Sequence, residues 1–137
     1  MQVRADNTAD GVARVTAAFD AFAEERALSP LLIGSVQVVL DELLSNTVKA
    51  GYPAGGPGTI EATFDVADGR LHLTLVDDGV AFDPLAREDP DLAAPLEERP
   101  IGGLGIYLVK QLMDDVSYER RDGWNRLRLA KKLEDPI

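Results

Sequence analysis

The chain has 137 residues, enough for one hydrophobic core and too few for two. Its 45% hydrophobic and 28% charged composition is that of a globular protein and excludes global disorder, while the net charge of -10 repels a phosphate backbone and argues against a general nucleic-acid binder. The absence of cysteine excludes disulfides and thiolate metal sites. No apolar run in the sequence approaches membrane-spanning length, and the opening MQVRADNTAD lacks a signal-peptide core, so a cytoplasmic protein forming one domain over residues 1–137 is expected.

In chain order, Gln2 to Ala5 reads as a short strand. Val12, Val15, Phe19, Phe22 and Arg26 then recur at three- and four-residue steps, one face of an amphipathic helix that Asp6, Asn7 or Thr8 can cap. The stretch LSPLLIGSVQVVLDELLSNTVKAGYP predicts a second helix, with Ser29 at the N-cap, Pro30 in the first turn and Gly51 just past the end. Ile60, Ala62, Phe64 and Val66 alternate with polar residues, Asp68 and Gly69 supply a turn, and Leu71, Leu73 and Leu75 alternate on the return, which makes a hairpin. Residues 83–101 carry four prolines and many acids without periodicity and read as a long irregular segment. Gly102, Gly103 and Gly105 open a third helix running to about Met113. Val116 to Arg120, a turn at Asp122 and Gly123, and Trp124 to Leu133 supply two closing strands. The predicted class is α+β, a two-layer sandwich in which a mixed, antiparallel-rich sheet is covered on one face by three helices.

Three places can carry chemistry. Glu42 and Asn46 lie four apart on the second helix and point the same way. They form either an incidental polar face or a carboxylate base beside a neutral oxygen ligand suited to hydrated magnesium. Asp77 shares the parity of Leu71, Leu73 and Leu75 and so points inward, where a carboxylate needs donors; an exocyclic amine such as that of adenine is one, unless the strand end has already reached solvent. The glycines at 102, 103 and 105 can bare backbone N–H groups to an anion at a helix start, or merely permit tight packing. Asn125 has the parity of Leu127 and Leu129, which makes it a ligand contact or a satisfied core amide. His72 has the outward parity of a surface residue, and Trp124 beside the turn suits packing or a rim.

The order Glu42-x-x-x-Asn46, then Asp77-x-Gly79 ending a strand, then Gly102-Gly103-Leu104-Gly105 opening a helix resembles the asparagine box and two glycine boxes of the GHKL (Bergerat-fold) ATPases. Within that superfamily, DDGVAFDP and GGLGIYLVKQLMDDVSYERRDGWNRLRL look like the RsbW-like anti-sigma-factor serine kinases. The resemblance implies an ATP-binding kinase domain with a lid at about residues 83–101. It implies that Asn46 holds Mg2+ against the phosphates, that Glu42 is the catalytic base and that Asp77 accepts the adenine amine. It further implies that Gly79 admits the purine, that Gly102, Gly103, Leu104 and Gly105 line the phosphates, and that Lys49, Ala81, Arg99 and Asn125 belong to the nucleotide site. Ala81 stands where the second glycine of the first glycine box is expected, Ala50 where a histidine is usual, and Asn125 where many members carry threonine.

By resemblance the function is that of an ATP-dependent protein-serine kinase and anti-sigma factor of a bacterial partner-switching system. Such a kinase phosphorylates a STAS-domain antagonist and sequesters a sigma factor or other regulator; a homodimer is compatible with it, and neither nucleic acid nor membrane is a direct partner. The alternative is a nucleotide-gated binding module without phosphoryl transfer.

Overall fold

The computed structural model describes residues 1–86 and 104–133. The elements run β1 (Gln2–Asp6), α1 (Ala9–Glu25), α2 (Pro30–Gly51), β2 (Thr59–Ala67), β3 (Arg70–Asp77), a short 3-10 turn (Pro84–Ala86), α3 (Leu104–Leu112), β4 (Asp115–Arg121) and β5 (Trp124–Lys132). The five strands form one sheet in the order β1-β2-β3-β5-β4, and every pairing is antiparallel. Both hairpin turns place an aspartate and a glycine in the left-handed region, Asp68 at φ 55° with Gly69 at 72° and Asp122 at 51° with Gly123 at 83°. That pair of positive φ values matches the right-handed twist of the flanking strands and fixes their register.

Helix boundaries follow side-chain chemistry. Thr8 caps α1 by accepting the Gly11 N–H at 3.1 Å, and Ser29 caps α2 by accepting the Leu32 N–H at 3.2 Å. Gly51 is the last residue of α2 rather than the first beyond it, and Tyr52 takes the C-cap. Though 22 residues long and apolar enough in composition to cross a membrane, α2 spends its apolar side on the core. Val36, Val39, Leu40, Leu43 and Leu44 are at most 1% exposed; it is the length and composition of α2 that correct the sequence expectation that no apolar run approaches membrane-spanning length.

The core lies between the three helices and one face of the sheet, where Ile60, Ala62, Phe64, Leu71, Leu73, Leu75, Leu127 and Leu129 point inward at alternate positions. Phe64 is fully buried at its centre, with the Phe19 ring edge-on at 5.4 Å between centroids and Phe22 at 6.0 Å. His72 faces the other side, as its parity predicts, with Nε2 3.3 Å from the Ala67 carbonyl. Because Phe64 joins both α1 rings to the sheet, Phe64→Ala leaves a cavity that the neighbours cannot collapse to fill. Urea unfolding should show a loss of about 3–5 kcal/mol, and a loss below 1 would contradict this packing.

Candidate functional site

The antiparallel register sets Asp77, the last residue of β3, opposite Asn125 near the start of β5, and Arg120 of β4 on the other side of Asn125. Asp77 and Asn125 are the only buried polar side chains among the described residues, at 8% and 5% exposure. Their hydrogen bonds explain how they are tolerated there. Asn125 donates through Nδ2 to Asp77 Oδ1 at 2.9 Å and to the Val80 carbonyl at 2.8 Å. Its Oδ1 accepts the Tyr118 hydroxyl at 2.5 Å and the Phe82 N–H at 3.3 Å. All four hydrogen-bonding positions of the amide are filled, and a flipped amide would turn its oxygen toward a carboxylate and a carbonyl.

Asp77 Oδ1 also accepts the Gly79 N–H at 2.9 Å, so two protein donors converge on that oxygen, and among the described residues none reaches Oδ2. Burial pushes the Asp77 carboxyl above the usual carboxylate range, against the opposing pull of the Asn125 and Gly79 hydrogen bonds and of the Arg120 charge. The neighbouring Asp78 points the other way. It accepts the Tyr52 hydroxyl at 2.6 Å and the Thr59 N–H at 2.8 Å. Burial is the largest influence on Asp78 and opposes its ionisation, but these hydrogen bonds and the Arg4 charge together hold the carboxyl below its ordinary value. Tyr52 is pushed up, first by burial and then by its bond to Asp78.

Asp77, Asn125 and Tyr118 line a cavity of about 20 Å³ together with Asn46 and Thr47 of α2 and with Phe82 and Pro84. That volume holds about one water molecule, so any larger ligand requires the lining to move. Glu42, one turn before Asn46, lies against Gly105 in the first turn of α3. A Cβ on Gly105 would overlap the Glu42 carboxylate oxygen and stand 2.7 Å from its Cδ. A carboxylate at a helix start is favoured by the dipole, so Gly105 is a seat for Glu42 in this arrangement rather than open space for a phosphate.

Gly79 has a packing reason of its own. A Cβ there would stand 2.6 Å from the Gly51 carbonyl oxygen and 2.8 Å from Gly51 Cα, because the last turn of α2 presses on this loop and Gly51 accepts the Val80 N–H at 2.8 Å. The sequence reading gave Gly79 only to the purine. Arg120 adds a clamp, donating from Nη1 to the Gly79 carbonyl at 2.8 Å.

The expected site residues divide accordingly. Asn46, Asp77 and Asn125 meet at one cavity, with Gly79 beneath the loop that borders it and Glu42 one helical turn away. Lys49 does not join them. It is exposed in a groove toward α1 with Ala9, Val12, Asp41, Ser45 and Val48. Ala81 is exposed and does not line the cavity, and Leu104 begins α3. Arg99, Gly102 and Gly103 lie outside the described residues, as does most of the expected lid. Tyr118, Arg120 and Phe82 were not singled out from the sequence, and Gly51 was read only as a helix end; inward parity on β4 is a usable signal for the first two. Trp124 lines a cleft with Arg121, Asp122 and Arg126.

Comparison with known proteins gives this geometry a context. Residues 5–131 match the family model of the histidine kinase-like ATPase domain. The serine/threonine-protein kinase BtrW of Bordetella bronchiseptica is 38% identical over 90 residues, covering 66% of this chain and 63% of that protein. The serine-protein kinase RsbW of Bacillus thuringiensis is 33% identical over 95 residues, covering 66% and 59%. The chain thus spans about three-fifths of the length of the curated relatives it matches. The crystal structure of the RsbU and RsbW domains of Rv1364c from Mycobacterium tuberculosis shares the fold, with a TM-score of 0.66 at 16% identity over 97% of this chain and 31% of that one.

Two outcomes test the site as built. Gly79→Ala should lower the melting temperature of the nucleotide-free protein, because the clash is with α2 backbone; an unchanged value would return Gly79 to a purely ligand-related role. The two aspartates should show opposite pH slopes. The raised Asp77 value favours folding below the unfolded carboxylate value of about 4 and loses that contribution as pH rises through the folded value; the lowered Asp78 value acts above about 4 and is lost on acidification. Relative to wild type, Asp77→Asn should therefore gain stability, and Asp78→Asn lose it, as urea unfolding is repeated from low to neutral pH. Parallel slopes would contradict the assignment.

Proposed function

The chain belongs to the histidine kinase-like ATPase domain family, and on that premise we propose that it is an ATP-dependent protein-serine kinase acting in a cytoplasmic partner-switching system. The observation that carries the proposal is the meeting of a buried carboxylate, Asp77, with Asn46 at one cavity, and of Glu42 with the start of α3 one helical turn away. Phosphoryl transfer asks a protein mainly for positioning and charge neutralisation, which these few groups can supply.

In this reading Asp77 accepts the adenine amine, and the loop from Asp77 to Phe82 frames the base. Glu42 takes the proton of the attacking serine hydroxyl once the phosphates displace it from its seat on Gly105. Asn46 is the protein's oxygen ligand for Mg2+. No cluster of three or more acidic, histidine or cysteine ligands occurs among the described residues, which fits an ion held mostly by phosphates and water rather than by a protein cage. Bound there, Mg2+ would neutralise phosphate charge and orient the transferred group. Residues 83–101 serve as the lid of a single domain. The names of the relatives, serine-protein kinase and serine/threonine-protein kinase, support a serine on a partner protein as the acceptor. A STAS-domain antagonist is the proposed substrate, and a sigma factor or other regulator the proposed second partner, with a homodimer as the assembly.

One observation favours the alternative of a nucleotide-gated module without transfer: Glu42 already has a structural seat against α3. Glu42→Ala separates the two. As a base, its loss should cut phosphate transfer to a STAS-domain serine by about 10²-fold or more while calorimetry shows Mg-ATP affinity close to wild type. Unchanged transfer would remove Glu42 from the chemistry, and no transfer by the wild-type protein alongside intact ATP binding would establish the module.

A further inference from the structure

The hydrogen bonds on Asp77 are lopsided, and the lopsidedness has a chemical meaning. Oδ1 accepts from Gly79 N and Asn125 Nδ2, both at 2.9 Å, which uses both of its lone pairs. Asp77 lines the cavity, and Oδ2 is the oxygen left to accept there. A purine therefore meets one acceptor instead of a carboxylate fork.

That difference discriminates between bases. An unrestrained carboxylate pairs well with guanine, whose ring N–H and exocyclic amine present two parallel donors to two oxygens. With Oδ1 occupied, this bidentate arrangement is closed: guanine can place only one of its two donors on Oδ2 and leaves the other unpaired, whereas the single exocyclic amine of adenine matches the remaining oxygen. Guanine turned to place its carbonyl oxygen there would meet a carboxylate with no proton between them.

The restraint on Oδ1 depends on Asn125, and Asn125 depends on Tyr118. The Tyr118 hydroxyl and the Phe82 N–H hold the amide oxygen, the Val80 carbonyl holds the second amide hydrogen, and the first is left to Asp77 alone. The Gly79 N–H by itself would leave Oδ1 one free lone pair. We infer that Asn125, fixed by Tyr118, is a specificity-determining positioning residue that masks one oxygen of Asp77 and thereby selects adenine over guanine nucleotides.

The inference rests on the proposed purine site and is tested by nucleotide binding alone, without the kinase reaction. Calorimetry with Mg-ADP and Mg-GDP is run on the full chain as wild type, Asn125→Leu and Tyr118→Phe. Wild type should prefer ADP by about tenfold or more, equivalent to 1.4 kcal/mol. Asn125→Leu should bring that ratio toward one, through weaker ADP binding with GDP held or strengthened. Tyr118→Phe, which removes only a hydroxyl, should move the ratio the same way by less, and carries the test by itself if the leucine variant does not fold by circular dichroism. A merely structural role predicts that both nucleotides weaken in parallel at constant ratio, and that result overturns the inference. So does a wild-type protein that binds both equally. A wild type that binds neither nucleotide removes the purine site itself, and the inference with it.

Discussion

The bond from Asn125 to Asp77 is the constraint on which the candidate site depends. A carboxylate at 8% exposure carries a desolvation cost of several kcal/mol unless donors meet it, and the end of β3 offers few. The sheet supplies them from two directions: the chain's own turn returns the Gly79 N–H, and β5, the next strand in the sheet, contributes an amide. Without the β5 amide the acid would have to protonate or turn toward solvent, and the loop that follows would lose the bonds through Val80 and Phe82 that now fix its path. Fold and site are thus one problem, since the register that buries Leu127 against Leu75 also brings Asn125 to Asp77.

A second constraint, backbone against backbone, locks α2 to that loop. Gly51 and Gly79 face each other closely enough that a methyl group on Gly79 would collide with the helix, and the Val80 N–H finds its acceptor at the helix end. Orphan carbonyls at a helix C-terminus normally need a cap or water; here the loop after β3 satisfies one through the Val80 N–H. Asn46, just over one turn earlier, is thereby held at a set distance from Asp77. A rigid helix meeting a rigid loop sets that distance better than two flexible segments could.

The sequence disclosed the fold wherever period and punctuation agreed. The hairpin of β2 and β3 was legible because leucines alternate on either side of an aspartate–glycine turn, and α2 because Ser29 and Pro30 mark its start. Asp77 and Asn125 were legible as inward polar residues by parity, but their contact was not, because pairing β3 with β5 depends on a long-range register that local pattern does not encode. Lys49 could not be set aside by spacing, because residues three apart on a helix share a face; the structure alone places it in the groove toward α1. Gly79 and Gly105 were assigned to a ligand when protein atoms already fill the space their missing side chains leave. Glycine reveals that something comes close; what comes close is set by tertiary packing.

The adjacent acids Asp77 and Asp78 show how one dipeptide serves two faces. Alternation sends the first into the helix-covered core and the second outward, so neighbouring carboxyls acquire shifts of opposite sign. Asp78 works as an anchor: ionised, it accepts the Tyr52 hydroxyl and the Thr59 N–H and closes the loop between α2 and β2 onto the end of β3. Asp77 is held in a state that burial disfavours, and a ligand that brings a hydrogen-bond donor to Oδ2 would relieve it. The anchor therefore stabilises the frame while its neighbour keeps one carboxylate oxygen without a protein donor among the described residues. A strand end with a single acid could not divide these roles.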